Sequence, residues 1–173
     1  MNRELRMLIN NLTQDIIDIF NIEIPIKDID LVVTKLGGHI EENQSFDDFS
    51  DGNIRKQDEG FVIYVSPFQT KERRRFTIAH ELGHLFLHMG YKIDKELWNK
   101  QKNATYYRSG DSLMEYQANE FAAAFLMPQK KYKEIMEQYT VGNKVRTDEI
   151  ANYFGVSVSA ASNRGKFLGY LEW

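Results

Sequence analysis

The chain has 173 residues, 42% of them hydrophobic, with 11 Phe, 9 Tyr and 2 Trp. That suits one compact domain with a small appendage and argues against wholesale disorder. A net charge of −3 excludes a chain that coats nucleic acid through its overall charge, though not a local basic face. With no cysteine, disulfides, Cys-type zinc knuckles and thiol nucleophiles are excluded, so any metal must be held by His, Asp, Glu or Asn.

Residues 4–20 place Leu5, Leu8, Leu12, Ile16 and Ile19 at helical spacing, which predicts an amphipathic first helix that ends before Pro25. The opening "MNRELRMLINNLTQ" lacks the apolar core of a secretion signal. No stretch approaches the roughly 18 apolar residues of a membrane span. A soluble, cytoplasmic protein is expected. "IKDIDLVVTKLGGHIEE" predicts a short helix, a break at Gly37-Gly38 and a strand at 38–42. His39 on that strand has no partner at ligand spacing and reads as structural. "SFDDFSDGNIRKQDEG" is polar and reads as turns. "GFVIYVSP" is the strongest strand, with Phe61 to Val65 bounded by Gly60 and Pro67. If it forms a sheet edge, an extended substrate could add to it as a further strand.

Ser66-Pro67 then opens a long central helix, with Gln69 completing a capping-box pattern, and the helix should run to Met89 and stop at Gly90. The basic run "KERRR" (71–75) at its start reads as a solvated face; an acidic partner surface is the sharper alternative. Residues 91–112 suggest a long loop with one helical turn. A second strong helix covers 112–127 and ends at Pro128, and a third begins near Gln129. The tail reads as helix, turn at Gly155, helix and a closing turn, with the Ala-x-x-x-Gly spacing of a helix-turn-helix. Its second helix carries only Arg164 and Lys166 as cations, so packing on the core is the favoured reading and DNA binding is not expected. The sum is a mostly helical α+β chain, with a main unit over 1–130 and a C-terminal helical segment over 131–173.

Three of the four histidines fall in "RFTIAHELGHLFLHMG": His80, His84 and His88. Residues four apart stack on one helix face, so His80 and His84 can chelate one ion from one side. Glu81 is rotated about 100° from His80, beside the ion, where its carboxylate can take a proton from a water. This is the H-E-x-x-H arrangement of zinc peptidases, and its chance occurrence in a chain this long is on the order of one in a few hundred. A catalytic zinc needs three protein ligands and an open position. The bent form H-E-x-x-H-x-x-G-x-x-H is excluded, because Leu87 stands at its Gly and Gly90 at its final His. His88 continues straight up the helix, too far along to join the other two on one ion. Glu115 on the following helix is the favoured third ligand, since Ala118, Ala122 and Gly83 suit the close helix contact that its short side chain requires. Glu120 is the rival, pointing about 140° away. Asn119, one turn after Glu115, could accept a hydrogen bond from a ligating histidine and fix its tautomer.

"RFTIAHELGHLFLH" followed by "EYQANEFAAAFLMP" resembles the ImmA/IrrE family of zinc metallopeptidases, with matching segments from 61 to 128 and weaker similarity over 147–170. The resemblance implies a zincin-like fold with a small sheet beside the H-E-x-x-H helix. It implies one zinc per chain held by His80, His84 and Glu115, with Glu81 as the catalytic base. It further implies a protease that cleaves a helix-turn-helix repressor to induce stress, phage or mobile-element genes. Candidate donors to the developing oxyanion are His88, Tyr106 and Tyr107; for His88 the favoured reading is structural, a helix residue hydrogen-bonded to groups beyond the site. The alternative is a non-catalytic metal-containing module that contacts a partner protein or DNA; an intact Glu81 speaks against it.

Overall fold

The computed structural model describes residues 1–43, 52–101 and 112–172. Helix α1 (Arg3–Ile19) is capped by Asn2, whose side chain accepts the Leu5 N–H. Its buried stripe is Ile9, Thr13, Ile16 and Ile17, while Leu8 and Ile19 are 59% and 72% exposed. The predicted face is therefore rotated. Thr13 completes the stripe by donating its hydroxyl to Ile9 O at 2.7 Å, so a residue that a hydrophobic count overlooks sits in the core. Helix α2 (Ile29–Leu36) begins at Asp28, which caps two backbone N–H groups, and ends at Gly37 in the left-handed region at φ 98°.

Three strands follow: β1 (Gly38–Glu42), β2 (Gly52–Gln57) and β3 (Gly60–Val65). Their spatial order is β1-β3-β2, with β1 parallel and β2 antiparallel to β3. Two expectations need correction. Residues 52–57 form a strand rather than turns, paired from Gly52↔Val65 to Gln57↔Gly60 across a tight turn in which Asp58 takes φ 51°. The strand β3 is central rather than an edge, flanked on both sides, so no further strand can add to it.

Helix α3 (Lys71–Leu87) is capped by Thr70, whose hydroxyl accepts the Arg73 N–H; Ser66, the expected cap, instead accepts the Phe68 N–H in the preceding turn. Gly90 at φ 76° turns the chain out of the helix. The basic run at its start is not one solvated face. Arg74 pairs with Asp30 at 2.7 Å, and Arg75 is buried, donating to Ile26 O and Phe154 O. Burial pushes the Arg75 guanidinium below its ordinary pKa. From Thr77 to Phe86 every residue of α3 is buried.

Beyond α3 lie α4 (Lys95–Lys100), α5 (Ser112–Leu126) and α6 (Gln129–Gln138), then a small hairpin of β4 (Thr140–Val141) and β5 (Lys144–Val145) that the sequence reading missed. The chain closes with α7 (Thr147–Phe154) and α8 (Val158–Phe167), joined through Gly155 at φ 65°. Helix α5 packs against α3 at a point where a side chain on Gly83 would place Cβ 2.9 Å from Ala118 Cα. The stacked rings of Phe86, Phe121 and Phe125 continue that contact into the core. Arg164 of α8 is 1% exposed and donates to Glu120 Oε1, Asn10 Oδ1 and Met127 O, linking α8 to α5 and α1. Arg6 adds a second contact to Glu120 at 3.2 Å. Arg164 is thus an internal cation, not an outward-facing one.

Candidate metal centre

The middle of α3 brings His80, Glu81 and His84 into the interior, at 6%, 3% and 2% exposure. Two imidazoles and a carboxylate buried together are costly unless hydrogen bonds or an ion compensate them. The compensation is visible on the far side of each ring. His80 Nδ1–H donates to Asn119 Oδ1 at 3.0 Å, and His84 Nδ1 lies 2.9 Å from His88 Nδ1. Both Nε2 atoms are thereby left facing one point. They stand 3.0 Å apart, and each is 3.3 Å from a carboxylate oxygen of Glu115.

That triangle fits a metal ion. Four ligands at about 2.0–2.1 Å in tetrahedral geometry stand about 3.3–3.4 Å from one another. Imidazole nitrogen with carboxylate oxygen is also a donor set that zinc accepts. Among the described residues His80, His84 and Glu115 form the group of ionisable side chains able to hold an ion. Glu115 reaches them because Gly83 and Ala118 let α3 and α5 approach so closely. Its side chain is 34% exposed, so the group opens to solvent on that side.

Glu81 lies against the first residue of β2: a side chain on Gly52 would place Cβ 3.6 Å from Glu81 Cγ and 2.6 Å from Thr77 Cγ2. The strand missed in the sequence thus runs directly past the carboxylate. Asn119 takes the predicted place behind His80. Glu120, the rival ligand, faces the opposite way and is committed to Arg164. His88 takes the structural one of its two readings. Both of its ring nitrogens are engaged behind His84, one with His84 and the other with Gln117 Oε1 at 2.8 Å, so it does not face the open side where an oxyanion would form. Tyr106 and Tyr107 lie outside the described residues. A groove of about 760 Å³ adjoins the group at Asn119, walled by Phe76, Tyr116, Ala123, Val158 and Phe167. Nothing in the sequence pattern pointed to Gln117 or to this groove, because both depend on how α3, α5 and α8 meet.

A helix-borne His-Glu-x-x-His with a carboxylate from a later helix, beside a small sheet, is an arrangement found in metal-dependent peptidases. Comparison with known proteins agrees. The family described as the IrrE N-terminal-like domain, a peptidase family, matches residues 27–166. The radiation response metalloprotease IrrE of Deinococcus radiodurans is 33% identical over 100 residues, covering 58% of this chain and 29% of that protein. A Mycobacterium tuberculosis transcriptional regulator superposes with a TM-score of 0.61 over 94% of this chain and 46% of its own, at 18% identity, a likeness of fold alone. The chain therefore spans less than a third of the length of that metalloprotease and just under half of that regulator. It belongs to the IrrE-type metalloprotease family, and that membership implies a metal cofactor.

Proposed function

We propose that the chain is a zinc-dependent endopeptidase of the cytoplasm whose substrate is a helix-turn-helix repressor. In this reading one zinc is held by His80 Nε2, His84 Nε2 and a Glu115 oxygen, and Glu81 is the general base. The observation that carries it is the convergence of those three donor groups, with a fourth ionisable side chain, Glu81, next to the first ligand on a buried helix. When bound, the zinc supplies a Lewis acid for the peptide carbonyl and lowers the pKa of water toward neutrality.

The rest falls to the chain's own side chains. Asn119 holds His80 with its proton on Nδ1, leaving Nε2 as the donor. Glu81 accepts the proton of the attacking water and later delivers it to the leaving amine. The outer edge of β2, which carries no partner strand among the described residues, offers main-chain groups to an extended substrate beside Glu81. The apolar groove at Asn119 suits a hydrophobic substrate side chain.

The test is direct. Zinc-loaded protein is incubated with purified helix-turn-helix repressors from the same genome, and the products are sized by mass spectrometry. One discrete cut that a chelator abolishes is the expected result. Repressors all left intact after prolonged incubation with fully metal-loaded protein overturn the reading.

A further inference from the structure

We propose that His88 and Gln117 are positioning residues of the metal centre: they set the proton of His84 so that it can offer only Nε2 to the ion. The inference rests on the reading of His80, His84 and Glu115 as ligands. The two histidine ligands are supported from behind in different ways. His80 leans on an amide oxygen, Asn119 Oδ1, at 3.0 Å. His84 leans on a second imidazole, His88, at 2.9 Å between the two Nδ1 atoms, and His88 leans in turn on Gln117 Oε1 at 2.8 Å.

Only one arrangement of protons satisfies this chain with His84 Nε2 as a metal donor. His84 must carry its proton on Nδ1, because Nε2 gives its lone pair to the ion. His84 Nδ1–H then donates to His88 Nδ1, which must be bare. His88 therefore carries its proton on Nε2 and donates to an acceptor. Gln117 supplies one through its carbonyl oxygen. With the Gln117 amide turned round, its NH₂ group would meet the His88 Nε2–H, or would force the His88 proton onto Nδ1 against that of His84. The amide orientation of Gln117 is thus transmitted through two rings to the donor atom. Gln117 shares α5 with Glu115 and Asn119, so one helix supplies the carboxylate ligand and both outer supports. An imidazole nitrogen is also a stronger base than an amide oxygen, so His84 is polarised toward the ion more than His80 is.

The test is metal affinity, read without any substrate. Apo wild type and variants compete for zinc against a chromophoric chelator, and cobalt-loaded samples report ligand geometry through their visible spectrum. His88→Ala should weaken binding by about 10–100-fold, the usual effect of losing an outer hydrogen-bond partner of a metal ligand. His88→Asn places a carbonyl oxygen near the lost Nδ1 and should recover most of the affinity and the wild-type cobalt spectrum. Wild-type affinity in His88→Ala, or equal weakness in His88→Asn, overturns the proposal. Should His88→Ala lose its fold by circular dichroism, Gln117 carries the test: Gln117→Glu keeps the acceptor and the affinity, Gln117→Leu loses both, and equal affinity in the two overturns it. A wild type that binds no zinc at all instead sinks the ligand assignment beneath it, a separate and recognisable failure.

Discussion

Glutamine at position 81 would preserve the shape of the buried site and remove its carboxylate. Glu81→Gln is therefore expected to keep the bound metal and the fold while losing at least about 10²-fold in cleavage rate, the usual scale for a general base. Metal content by elemental analysis and repressor cleavage, measured on the same sample, check both halves. Wild-type cleavage by this variant would refute the assigned role. At this scale much was legible beforehand. The four-residue spacing put His80 and His84 on one face, and the small-residue face of Ala118 and Ala122, with helical rotation, separated Glu115 from Glu120. His88 was legible as a helix residue hydrogen-bonded beyond the site, but its partner was not. That partner, Gln117, is 29 residues away and meets it only once α5 has docked on α3.

That docking governs the element scale. At Gly83 α3 and α5 leave no room for a side chain: even an alanine Cβ there meets backbone, at 2.9 Å from Ala118 Cα and 3.0 Å from Ala118 O. Gly83→Val should destabilise the protein by about 1–3 kcal/mol, as overpacking does. It should also weaken zinc binding, because the short Glu115 side chain cannot follow a retreating helix. Urea unfolding and the chelator competition measure the two effects. Unchanged zinc affinity in a destabilised Gly83→Val would show that Glu115 does not depend on this contact. Elements with their own hydrophobic rhythm, such as β3, α3 and α5, were readable from the chain. β2 was not, because its one fully buried apolar side chain is Ile54, set among Asn53, Arg55 and Lys56. Its strand conformation comes from the ladder with β3. The start of α3 was misplaced for a related reason: Ser66 and Thr70 are both competent caps, and only the path of the intervening turn chooses between them.

For the whole molecule, the C-terminal helices matter through what they bury. Arg164 is held by Glu120, Asn10 and the Met127 carbonyl, with burial lowering its pKa and the Glu120 carboxylate opposing that shift. Arg164→Met removes one charge of a buried pair and should cost about 3 kcal/mol, whereas removing both charges in Arg164→Met with Glu120→Leu should cost less. A double variant no more stable than the single one in urea unfolding would refute the pairing. Tyr132 of α6 donates to Ala161 O, and burial raises its phenol from 10.0 to about 12. Below pH 10 both states are protonated. Between about pH 10 and 12 the unfolded chain loses this proton and the native chain keeps it, so stability falls with rising pH. The thermal midpoint should decline across that window, and Tyr132→Phe should flatten the decline.

The three donor groups stand within ligand spacing of one another in the native fold, and only there. Zinc held by them as proposed would bind the native chain far better than the unfolded one, in which the three groups are dispersed. By mass action, each tenfold rise in free zinc above the dissociation constant adds about 1.4 kcal/mol to the resistance against unfolding. On that proposal the lifetime of the folded protein would track the zinc content of its surroundings. A chain starved of the ion would be lost first to unfolding and turnover, so scarcity would lower its abundance as well as its activity.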